Sequence, residues 1–595
     1  MPTQSPRKES GLVWRMVTGI ASSHGVAALG LIAMTLAAAG LAAGKTPPLG
    51  VDVLKAAVKW RPDYVTKDML INAGRDAGDW LNYGKGYSGT RFSQLQQINV
   101  KNVRHLQPVW NLSFGVIGAQ DSEAVAVNGV LYVTGSQDRV FAIDGATGDI
   151  LWKYVYPLPG DIGAHLCCEA VNRGVAVYKN MVFLETLDTH VVALSAWSGR
   201  VIWNTKLGNY ETGNMYTSMP VVVDGKVIVG NSGSDVGGNV GTITALNAKT
   251  GQVVWTVYTR PTSASDPNAK TWGQGSWKHG GVTAWQPGTY DANRNILYWG
   301  TGNPSPDFNP AMRPGDNLYS DSTLAINPDT GKILFYFQYT PHNYWDYDGN
   351  NQDVLITDAK GRKVWLHGDR NGFLYSINRY TGKCNWVVPI AQVNWVKKFG
   401  PNCRPEVNPE KVPRVGVLVK DIKPILDGGE EWHPPAYSPL TGLVYVPYID
   451  GSMNIEARKE QWKSGQWYLA SNVLEANAYT GGIKAFNATT GRLVWTHPQS
   501  TPATSGVLAT AGGLVFSGDA EGYFKAMRAD TGETLWRFQV GTGIHGNPTT
   551  FTAGDKQYVA IVYGPGGGSL WPLEYPQFMK THNRGGGMMV FALKR

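Results

Sequence analysis

The sequence predicts an all-β protein, an eight-bladed β-propeller in which tryptophan side chains dock between neighbouring blades. A motif of two short strands joined by a glycine turn recurs along the chain, most often at a spacing of about fifty residues. The 595 residues include 72 glycines and 22 tryptophans, while charged residues make up only 16%. Many turns, abundant buried aromatic side chains and a fixed strand repeat of this length are typical of propellers.

The repeat has seven explicit copies. Each copy is a short apolar strand, a polar turn with Thr-Gly or Ser-Gly, and a second strand that ends in an aromatic residue. The glycine takes the turn position with positive φ. The copies are FAIDGATGDILW (141–152), VALSAWSGRVIW (192–203), TALNAKTGQVVW (244–255), LAINPDTGKILF (324–335), YSINRYTGKCNW (375–386), KAFNATTGRLVW (484–495) and KAMRADTGETLW (525–536). We expect the repeated tryptophans to serve the fold; they are Trp152, Trp203, Trp255, Trp386, Trp495 and Trp536.

The eighth blade is predicted to be shared between the two ends of the chain. MMVFALK (588–594) matches the first half of a copy, and HLQPVW (105–110) matches a second half. Joined, they would close the ring and remove the exposed sheet edges of an open propeller. Two long gaps, at about 256–323 and 387–483, are predicted to be insertions within blades on the face that carries function.

The first 44 residues differ in composition from the rest of the chain. Arg7, Lys8 and Arg15 precede a run from 16 to 44 that lacks Asp, Glu, Lys and Arg and ends in small residues. This order is typical of an export signal peptide, although the run is also long enough for an uncleaved membrane anchor. We therefore expect residues 45–595 to form a single propeller domain in the periplasm, with membrane contact only through such an anchor.

Cysteine is rare, with four residues in the chain, and two of them are adjacent at Cys167 and Cys168. Two interpretations of this pair are open from the residues alone. Free cysteines often pack as small apolar side chains, whereas an oxidising compartment favours a disulfide. A bridge between neighbours would remove little chain entropy, because the loop that it closes is so small. The same compartment permits a second bridge, from Cys384 to Cys403.

Chemistry is expected where the repeat is interrupted. The main interruptions are CCEAVNRG (167–174), GNSGSDVGG (230–238), the stretch 279–306 that begins with HGGVTAW and ends with GTGNPSP, TPHNYWDYDGNNQ (340–352) and HGDRNG (367–372). The side chains that they offer for chemistry are Asp235, Asn303, Asp346, Asp348 and Arg370. Oxygen ligands without histidine or further cysteine are suited to a hard cation.

These motifs, in this order, resemble the methanol/ethanol family of pyrroloquinoline quinone (PQQ)-dependent alcohol dehydrogenases, over about residues 60–595. The resemblance implies that Cys167 and Cys168 form a disulfide ring against one face of PQQ, and that Trp285 stacks on the opposite face. It also implies that Arg173 pairs with a carboxylate of PQQ, since arginine binds carboxylates in a bidentate manner. The further cofactor-binding positions that it implies are Asp121, Thr217, Ser232, Gly233, Thr283 and Arg370.

The resemblance also implies a metal site at the quinone, made of Asp235, Asn303 and Asp346. In an extended segment residues i and i+2 share a face, so Asp348 could reach the same ion as Asp346. The second aspartate is typical of the lanthanide-using members, and one more carboxylate suits a trivalent ion. We therefore expect a lanthanide(III) ion, with calcium as the alternative; Asp348 could instead cap a turn before Gly349.

Several positions depart from the family pattern. Asp235 and Asp121 each stand where the family has Glu, and Glu123 is a competing match for the second of these positions. Glu431 and Thr504 stand where the family has Asn and Trp. These differences affect the shape of the pocket and the range of substrates.

The implied activity is the oxidation of primary alcohols to aldehydes by hydride transfer to metal-bound PQQ. Asp346 is the expected general base for the alcohol proton. Arg370 is expected to donate hydrogen bonds to the quinone oxygen as negative charge develops there. The chain has no C-x-x-C-H motif for haem attachment. We therefore expect no fused haem domain, and a separate soluble cytochrome c as the acceptor of the electrons.

Two alternative functions remain from the sequence. One is a PQQ-dependent sugar or polymer-alcohol dehydrogenase, and the other is a non-catalytic propeller that serves as a scaffold or binding protein. The set of candidate site residues argues against a scaffold. A net charge of +8 without a lysine and arginine cluster argues against a nucleic-acid partner. A homodimer stays open.

Overall fold

The computed structural model describes residues 64–567 and 585–594. Within these residues, eight sheets of four or five strands account for most of the secondary structure. Neighbouring strands are antiparallel, except that the short strand Phe92–Ser93 runs parallel to Leu508–Thr510 at the edge of one sheet. The segment 1–44, predicted to be a signal peptide or anchor, lies outside the described residues.

The first four sheets are numbered here in chain order, each with its four strands. Sheet 1 contains Val125–Val127, Val130–Gly135, Arg139–Asp144 and Ile150–Val155. Sheet 2 contains Ala176–Tyr178, Met181–Glu185, His190–Ser195 and Val201–Lys206. Sheet 3 contains Val221–Val223, Lys226–Gly230, Thr242–Asn247 and Val253–Tyr258. Sheet 4 contains Thr289–Asp291, Ile296–Gly300, Ser322–Ile326 and Ile333–Gln338.

The other four sheets follow the same plan. Sheet 5 contains Val354–Thr357, Lys363–Gly368, Phe373–Asn378 and Cys384–Pro389. Sheet 6 contains Ala436–Ser438, Leu443–Asp450, Thr480–Asn487 and Leu493–Gln499. Sheet 7 contains Leu508–Thr510, Leu514–Ser517, Tyr523–Arg528 and Thr534–Gln539, with Phe92–Ser93 at its edge. Sheet 8 contains Thr549–Ala553, Lys556–Tyr563, Gly585–Leu593 and Leu106–Ile117.

Two small sheets, a short α-helix and several 3₁₀ segments lie outside these eight sheets in the described residues. Two small sheets lie in the second long gap, with the strands Val396–Phe399 and Pro405–Val407 in one and Val419–Ile422, Met453–Ala457 and Ser471–Ala476 in the other. One α-helix spans Lys67–Asn72. The 3₁₀ segments are Val103–His105, Ile162–Ala164, Tyr210–Thr212, Pro267–Thr271, Gly273–His279, Pro310–Met312, Pro401–Cys403 and Pro409–Lys411. In the described part of the chain, none of the helices has the length and apolar character that crossing a membrane requires.

The sequence repeat corresponds to the third and fourth strands of a sheet and the turn between them. In sheet 3, the Asn247 side chain accepts hydrogen bonds from the backbone N–H groups of Lys249 and Thr250, at 2.9 and 3.2 Å. Gly251 follows with φ +72°, and its N–H donates to the carbonyl of Asn247. This turn needs a side-chain acceptor at its first residue and a left-handed residue near its end, so the polar residue and the glycine recur together.

The repeated aromatic residues link the sheets into one closed ring. Each indole N–H donates to a backbone carbonyl of the next sheet at 2.9–3.1 Å, in the pairs Trp110–Gly145, Trp152–Ala196, Trp203–Ala248, Trp255–Pro328, Trp386–Thr489, Trp495–Ala529 and Trp536–Leu106. The link from sheet 4 to sheet 5 uses Phe335, which lies against Gly382. The turn glycine leaves room for the ring: a Cβ atom at Gly199 would lie 2.7 Å from the indole of Trp152.

The chain ends meet in sheet 8, as predicted. The strand Leu106–Ile117 pairs with Gly585–Leu593, with Trp110 opposite Val590. The all-β propeller class is confirmed. The number of blades stays a prediction, which the closed cycle of contacts through eight sheets supports.

Candidate active site

The candidate site is a cavity of about 300 Å³, built from connections between the sheets. In an antiparallel sheet the start of the first strand and the end of the second strand lie at the same end. Most lining residues lie in the connections that lead into the first strand of a sheet. They are at 167–173 before sheet 2, 215–217 before sheet 3, 285 before sheet 4, 346–348 before sheet 5 and 426–432 before sheet 6. Others follow second strands, at 232–235 in sheet 3, 303–308 in sheet 4 and 370 in sheet 5. Stretches far apart in sequence therefore meet in one place.

A disulfide between the adjacent Cys167 and Cys168 lines this cavity, with their Cα atoms 3.8 Å apart. The bridge forms a compact, stiff part of the wall, since it closes a loop too small to join distant parts of the fold. The second disulfide, Cys384–Cys403, has a Cα–Cα distance of 5.9 Å and lies away from the cavity. It joins the last strand of sheet 5 to the insertion that follows.

Arg173 places a positive charge between two aromatic rings of the cavity wall. Its guanidinium carbon lies 5.0 Å from the ring centre of Trp285 and 4.5 Å from that of Trp432. Its Nη1 donates to the hydroxyl of Thr217 at 3.0 Å, and its Nε has no hydrogen-bond partner although it is buried. An unpaired donor on a buried cation is costly, which favours an acidic ligand beside it.

The segment 345–348 presents two carboxylates to the cavity and two aromatic rings to the protein interior. Asp346 and Asp348 line the cavity. Trp345 and Tyr347 are buried and pack against Trp395, with ring centres 4.9 and 6.1 Å away. The alternation anchors the acids, since each aromatic neighbour is fixed in a packed core. Asp346 itself has φ +62°, a strained conformation that clusters at functional sites.

Three carboxylates converge beside this segment. One ligand atom from each of Asp235, Asp307 and Asp346 lies within 4.8 Å of the other two. The side-chain nitrogen of Asn303 donates to Asp235 at 3.1 Å and to Asp307 at 2.9 Å. The amide of Asn303 must therefore turn over before its oxygen can face an ion at this position. The carboxylate of Asp348 lies alongside and accepts from the Asn303 backbone N–H at 2.6 Å.

Arg370 is the positive centre of the acidic cluster. Its Nη1 lies 3.2 Å from a carboxylate oxygen of Asp348 and 3.8 Å from one of Asp346. Its Nη2 lies 3.7 Å from Glu431, while its buried Nε has no partner. Burial alone would lower the pKa of Arg370, but the surrounding carboxylates raise it, so this side chain stays charged.

The comparisons with known proteins identify the family. The model for the PQQ glucose/ethanol/alcohol dehydrogenase β-propeller domain matches residues 80–398 and 497–559. The chain belongs to the PQQ-dependent alcohol dehydrogenases. It is 37% identical to quinoprotein alcohol dehydrogenase PedH of Pseudomonas putida, over 89% of this chain and 94% of that relative.

Two further relatives are described as lanthanide proteins. The lanthanide-dependent methanol dehydrogenase of Methylacidiphilum fumariolicum is 37% identical, over 84% of this chain and 87% of that protein. A solved structure of a europium-containing methanol dehydrogenase is 35% identical, covers 88% of this chain and 100% of that chain, and gives a TM-score of 0.83. The resemblance inferred from the motifs is confirmed, as is an oxidoreductase activity, so the scaffold alternative is set aside.

The residues of this quinoprotein fit PQQ and a metal ion. The cavity offers a flat aromatic surface at Trp285, the disulfide wall, and unpaired N–H groups on Arg173 and Arg370 for the oxygens of a polyanionic quinone. It also offers an unpaired, buried carboxylate oxygen on Asp307. Unpaired buried groups of both signs in one cavity suit an anionic cofactor bound together with a cation.

Two of the predicted cofactor positions lie behind the wall of the quinoprotein cavity. Asp121 is buried next to it and accepts a hydrogen bond from the backbone N–H of Gly567 at 3.2 Å. Burial raises the pKa of Asp121 to about 7, although the charge of Arg173 opposes this. Thr283 is also buried, and its hydroxyl is hydrogen-bonded to that of Ser234 at 2.8 Å. Ser232 and Gly233, in contrast, line the cavity directly.

Glu123, the competing match for Asp121, has a different environment. Its carboxylate pairs with Arg91 and accepts from the indole N–H of Trp80 at 2.6 Å and the backbone N–H of Gly84 at 3.0 Å. Both side chains of the ion pair are fully buried. Glu123 is therefore bound within the protein interior and does not face the cavity.

The sequence did not single out every residue of the quinoprotein cavity, and three of those that it missed bear directly on the chemistry of the site. They are Asp307, Asp427 and Trp432. Asp307 and Asp427 lie in irregular connections, where spacing does not indicate the direction of a side chain. Trp432 stands in the EEWHPP stretch beside Glu431, which the sequence had indicated only as a departure from the family.

A buried histidine, His367, stands three residues before Arg370 in the chain. His367 is hydrogen-bonded to Asp353 at 2.9 Å and to Asp369 at 3.1 Å, and its ring stacks on Tyr339 with ring centres 3.9 Å apart. Burial alone would lower the pKa of His367, but its two aspartate partners raise it to about 9. A charged His367 thus fixes Asp369, the neighbour of Arg370 in the chain.

Proposed function

We propose that this protein oxidises small primary alcohols to aldehydes, with PQQ as the hydride acceptor and a lanthanide(III) ion beside it. The observation that carries this proposal is the meeting of Asp346 and Arg370 with the carboxylate cluster, inside a cavity walled by the disulfide and Trp285. When bound, PQQ supplies a two-electron acceptor and the ion supplies Lewis-acid polarisation of the quinone. The surrounding residues bind, orient and exchange protons.

Asp346 is the proposed general base, which takes the alcohol proton on a carboxylate oxygen. Burial raises the pKa of Asp346 well above its usual range, Arg370 opposes this, and Asp235 and Asp348 add to it. A carboxylate with a raised pKa is a better proton acceptor than an exposed aspartate. Its packed neighbours, Trp345 and Tyr347, keep it in position.

Arg370 is the proposed donor to the quinone oxygen. Its Nη1 is already used by Asp348 and by the backbone carbonyl of Asp346, at 3.2 Å each. Its buried Nε–H has no partner and is available for an oxygen that gains negative charge. Arg173 would hold a carboxylate of the cofactor, with Thr217 orienting Arg173.

The rest of the cavity favours an apolar alcohol over a sugar. Apolar side chains line this part of the cavity, among them Phe308, Leu426, Trp467, Leu469, Leu474 and Ala476. Most of these come from 467–476 or from the connection just before sheet 6, within the second long gap. A sugar needs several hydrogen-bonding partners, which these side chains do not provide.

The choice of a lanthanide rests on the number of nearby carboxylates. Asp235, Asp307, Asp346 and Asp348 line one cavity, and two relatives of this chain are described as lanthanide proteins. A trivalent ion gains more than calcium from each added carboxylate.

We expect Asp348→Ala to abolish lanthanum-dependent alcohol oxidation, measured after PQQ reconstitution. Full lanthanum activation of that variant would contradict a role for Asp348.

We further propose that residues 1–44 export the protein and that residues 45–595 work in the periplasm as one domain. All four cysteines are used in two disulfides, which require an oxidising compartment and leave none to attach haem. The electrons would then leave through a separate cytochrome c.

A dye-linked assay tests the proposed function. Purified protein is incubated with PQQ and either lanthanum or calcium, then given ethanol, 1-butanol, glucose or polyvinyl alcohol, with reduction of the dye as the readout. We expect turnover of the primary alcohols with lanthanum and little with glucose or the polymer. Oxidation of glucose or the polymer alone would favour the alternative substrate classes, and activation by calcium alone would overturn the lanthanide assignment.

A further inference from the structure

We propose that Asp307 is a direct ligand of the metal ion, beside Asp235, Asn303 and Asp346. This inference rests on the proposed function, because it concerns the ion of the same site. It assigns a metal-binding role to a residue in the irregular segment that follows Asn303, four positions further along the chain.

The geometry of Asp307 is that of a ligand available to a cation. Its side chain is in the group of three carboxylates whose ligand atoms lie within 4.8 Å of one another. Its Oδ1 accepts from Asn303 at 2.9 Å, while its Oδ2 has no hydrogen-bond partner. The residue is only 1% exposed, so water does not readily satisfy this oxygen. Leaving a carboxylate oxygen buried and unpaired is costly, and a bound cation removes this cost.

Asp348 is less available for the ion in the same arrangement. Its Oδ1 accepts from the Asn303 backbone at 2.6 Å. Its Oδ2 accepts from the indole N–H of Trp285 at 3.0 Å and from Arg370 at 3.2 Å. Asp307 can therefore offer an oxygen to the ion without giving up a hydrogen bond, whereas Asp348 would have to give up or share one of its contacts.

Arg313 holds Asp307 at this distance from Asp346. Its buried guanidinium donates to the backbone carbonyls of Pro306 at 2.7 Å and Asp307 at 2.9 Å. It also donates to the carbonyl of Asn343, which begins the segment that carries Asp346. One side chain thus ties together the two segments that supply the acids. The carboxylates of Asp235, Asp307 and Asp346 together carry three negative charges, which a trivalent ion balances.

The test is direct binding of lanthanum(III) to full-length protein, with and without PQQ, by equilibrium dialysis and elemental analysis. We expect Asp307→Asn to weaken lanthanum binding at least about ten-fold, the lower range for residues that support a metal site. Asparagine keeps the acceptor for Asn303 and removes the repulsion from Asp235 and Asp346. The metal-free variant should therefore unfold at the same temperature as the parent or higher, and lose the stabilisation that lanthanum gives the parent.

Glu169→Gln is the matched control, because Glu169 lines the same cavity but is exposed and outside the carboxylate group. It should bind lanthanum as the parent does. Asp307→Glu, which restores a carboxylate, should recover part of the lost affinity. If Asp307→Asn does not fold, the lanthanum affinity and metal-free stability of Asp307→Ser are compared with those of the parent instead.

Parent-like lanthanum binding by the Asp307→Asn protein would overturn the inference. A fall in affinity that comes with an equal loss of metal-free stability, and that Asp307→Glu does not recover, would show a structural role and would also overturn it. The proposed function fails separately, if the parent binds PQQ and lanthanum but oxidises no alcohol.

Discussion

Replacing Glu123 by Gln should destabilise the protein without emptying the active site. Glu123 neutralises Arg91 where both side chains are 0% exposed. The neutral amide of the Glu123→Gln variant would leave the guanidinium charge buried and uncompensated. The guanidinium of Arg91 also donates to the carbonyls of Val507 and Pro548, at 2.7 and 2.8 Å, and lies over the rings of Trp80 and Tyr83, but none of these groups carries a negative charge. Breaking one side of a buried ion pair costs about 3–5 kcal/mol.

This cost converts into a measurable change in thermal midpoint. Unfolding entropy is about 2.1 cal/mol/K per residue, which gives roughly 1 kcal/mol/K for about 500 ordered residues that unfold together. The Glu123→Gln midpoint should therefore fall by about 3–5 °C in a calorimetric scan. PQQ binding should be unchanged, because Glu123 does not line the cavity.

The matched control is Glu406→Gln. Glu406 pairs with Lys398 at 3.3 Å, but the two side chains are 56% and 71% exposed. Exposed pairs contribute less than about 1 kcal/mol, so this midpoint should fall by no more than about 1 °C. If the two variants lose the same amount, or if Glu123→Gln loses PQQ binding and keeps its midpoint, the assignment of Glu123 to the interior is wrong.

Three other predictions concern the site. Asp346→Asn should abolish turnover while PQQ still binds, seen by comparing kcat with cofactor absorbance; near-normal kcat would exclude Asp346 as the base. Replacing Cys167 and Cys168 by Ala should lower activity but barely move the thermal midpoint, because their loop is so small; a large drop in midpoint with normal turnover would contradict this. The parent should have a higher thermal midpoint than His367→Gln. This difference should be largest below about pH 6.5 and disappear as the pH rises through about 9, because the pKa of His367 is higher in the folded state than in the unfolded state. A midpoint difference that stays constant from about pH 6 to about pH 10 would show that His367 carries no such charge.

The fold was predictable because its signals are local and repeated. The polar residue, the glycine and the aromatic of each copy serve one turn and one contact with the next sheet, as Asn247, Gly251 and Trp255 show. Seven copies of such a unit indicate both the class of fold and the order of its sheets. The pairing of residues 106–117 with 585–593 followed from completing the one copy that was split.

The candidate site was only partly predictable, since its details depend on contacts across the ring. Asp346 and Asp348 could be placed on one side of their segment from the alternation with Trp345 and Tyr347. The direction of Asp307 depends on an irregular loop that Arg313 holds from several residues away. Nothing in the sequence spacing shows that arrangement.

Asp121 and Glu123 show the same limit. They are two residues apart in an irregular stretch, and no sequence pattern distinguishes them. The contact of Glu123 with Arg91 separates them, because it places Glu123 in an interior between segments that the motifs do not connect.

The shared sheet has a consequence for the order of events during biogenesis. The strand Gly585–Leu593 lies between Lys556–Tyr563 and Leu106–Ile117, so the ring stays open until this late segment has been delivered. A chain that lacks this segment would present Leu106–Ile117 as an unpaired edge, open to aggregation. Binding of the cofactor would then be a late maturation step, because it would follow closure of the ring by Gly585–Leu593.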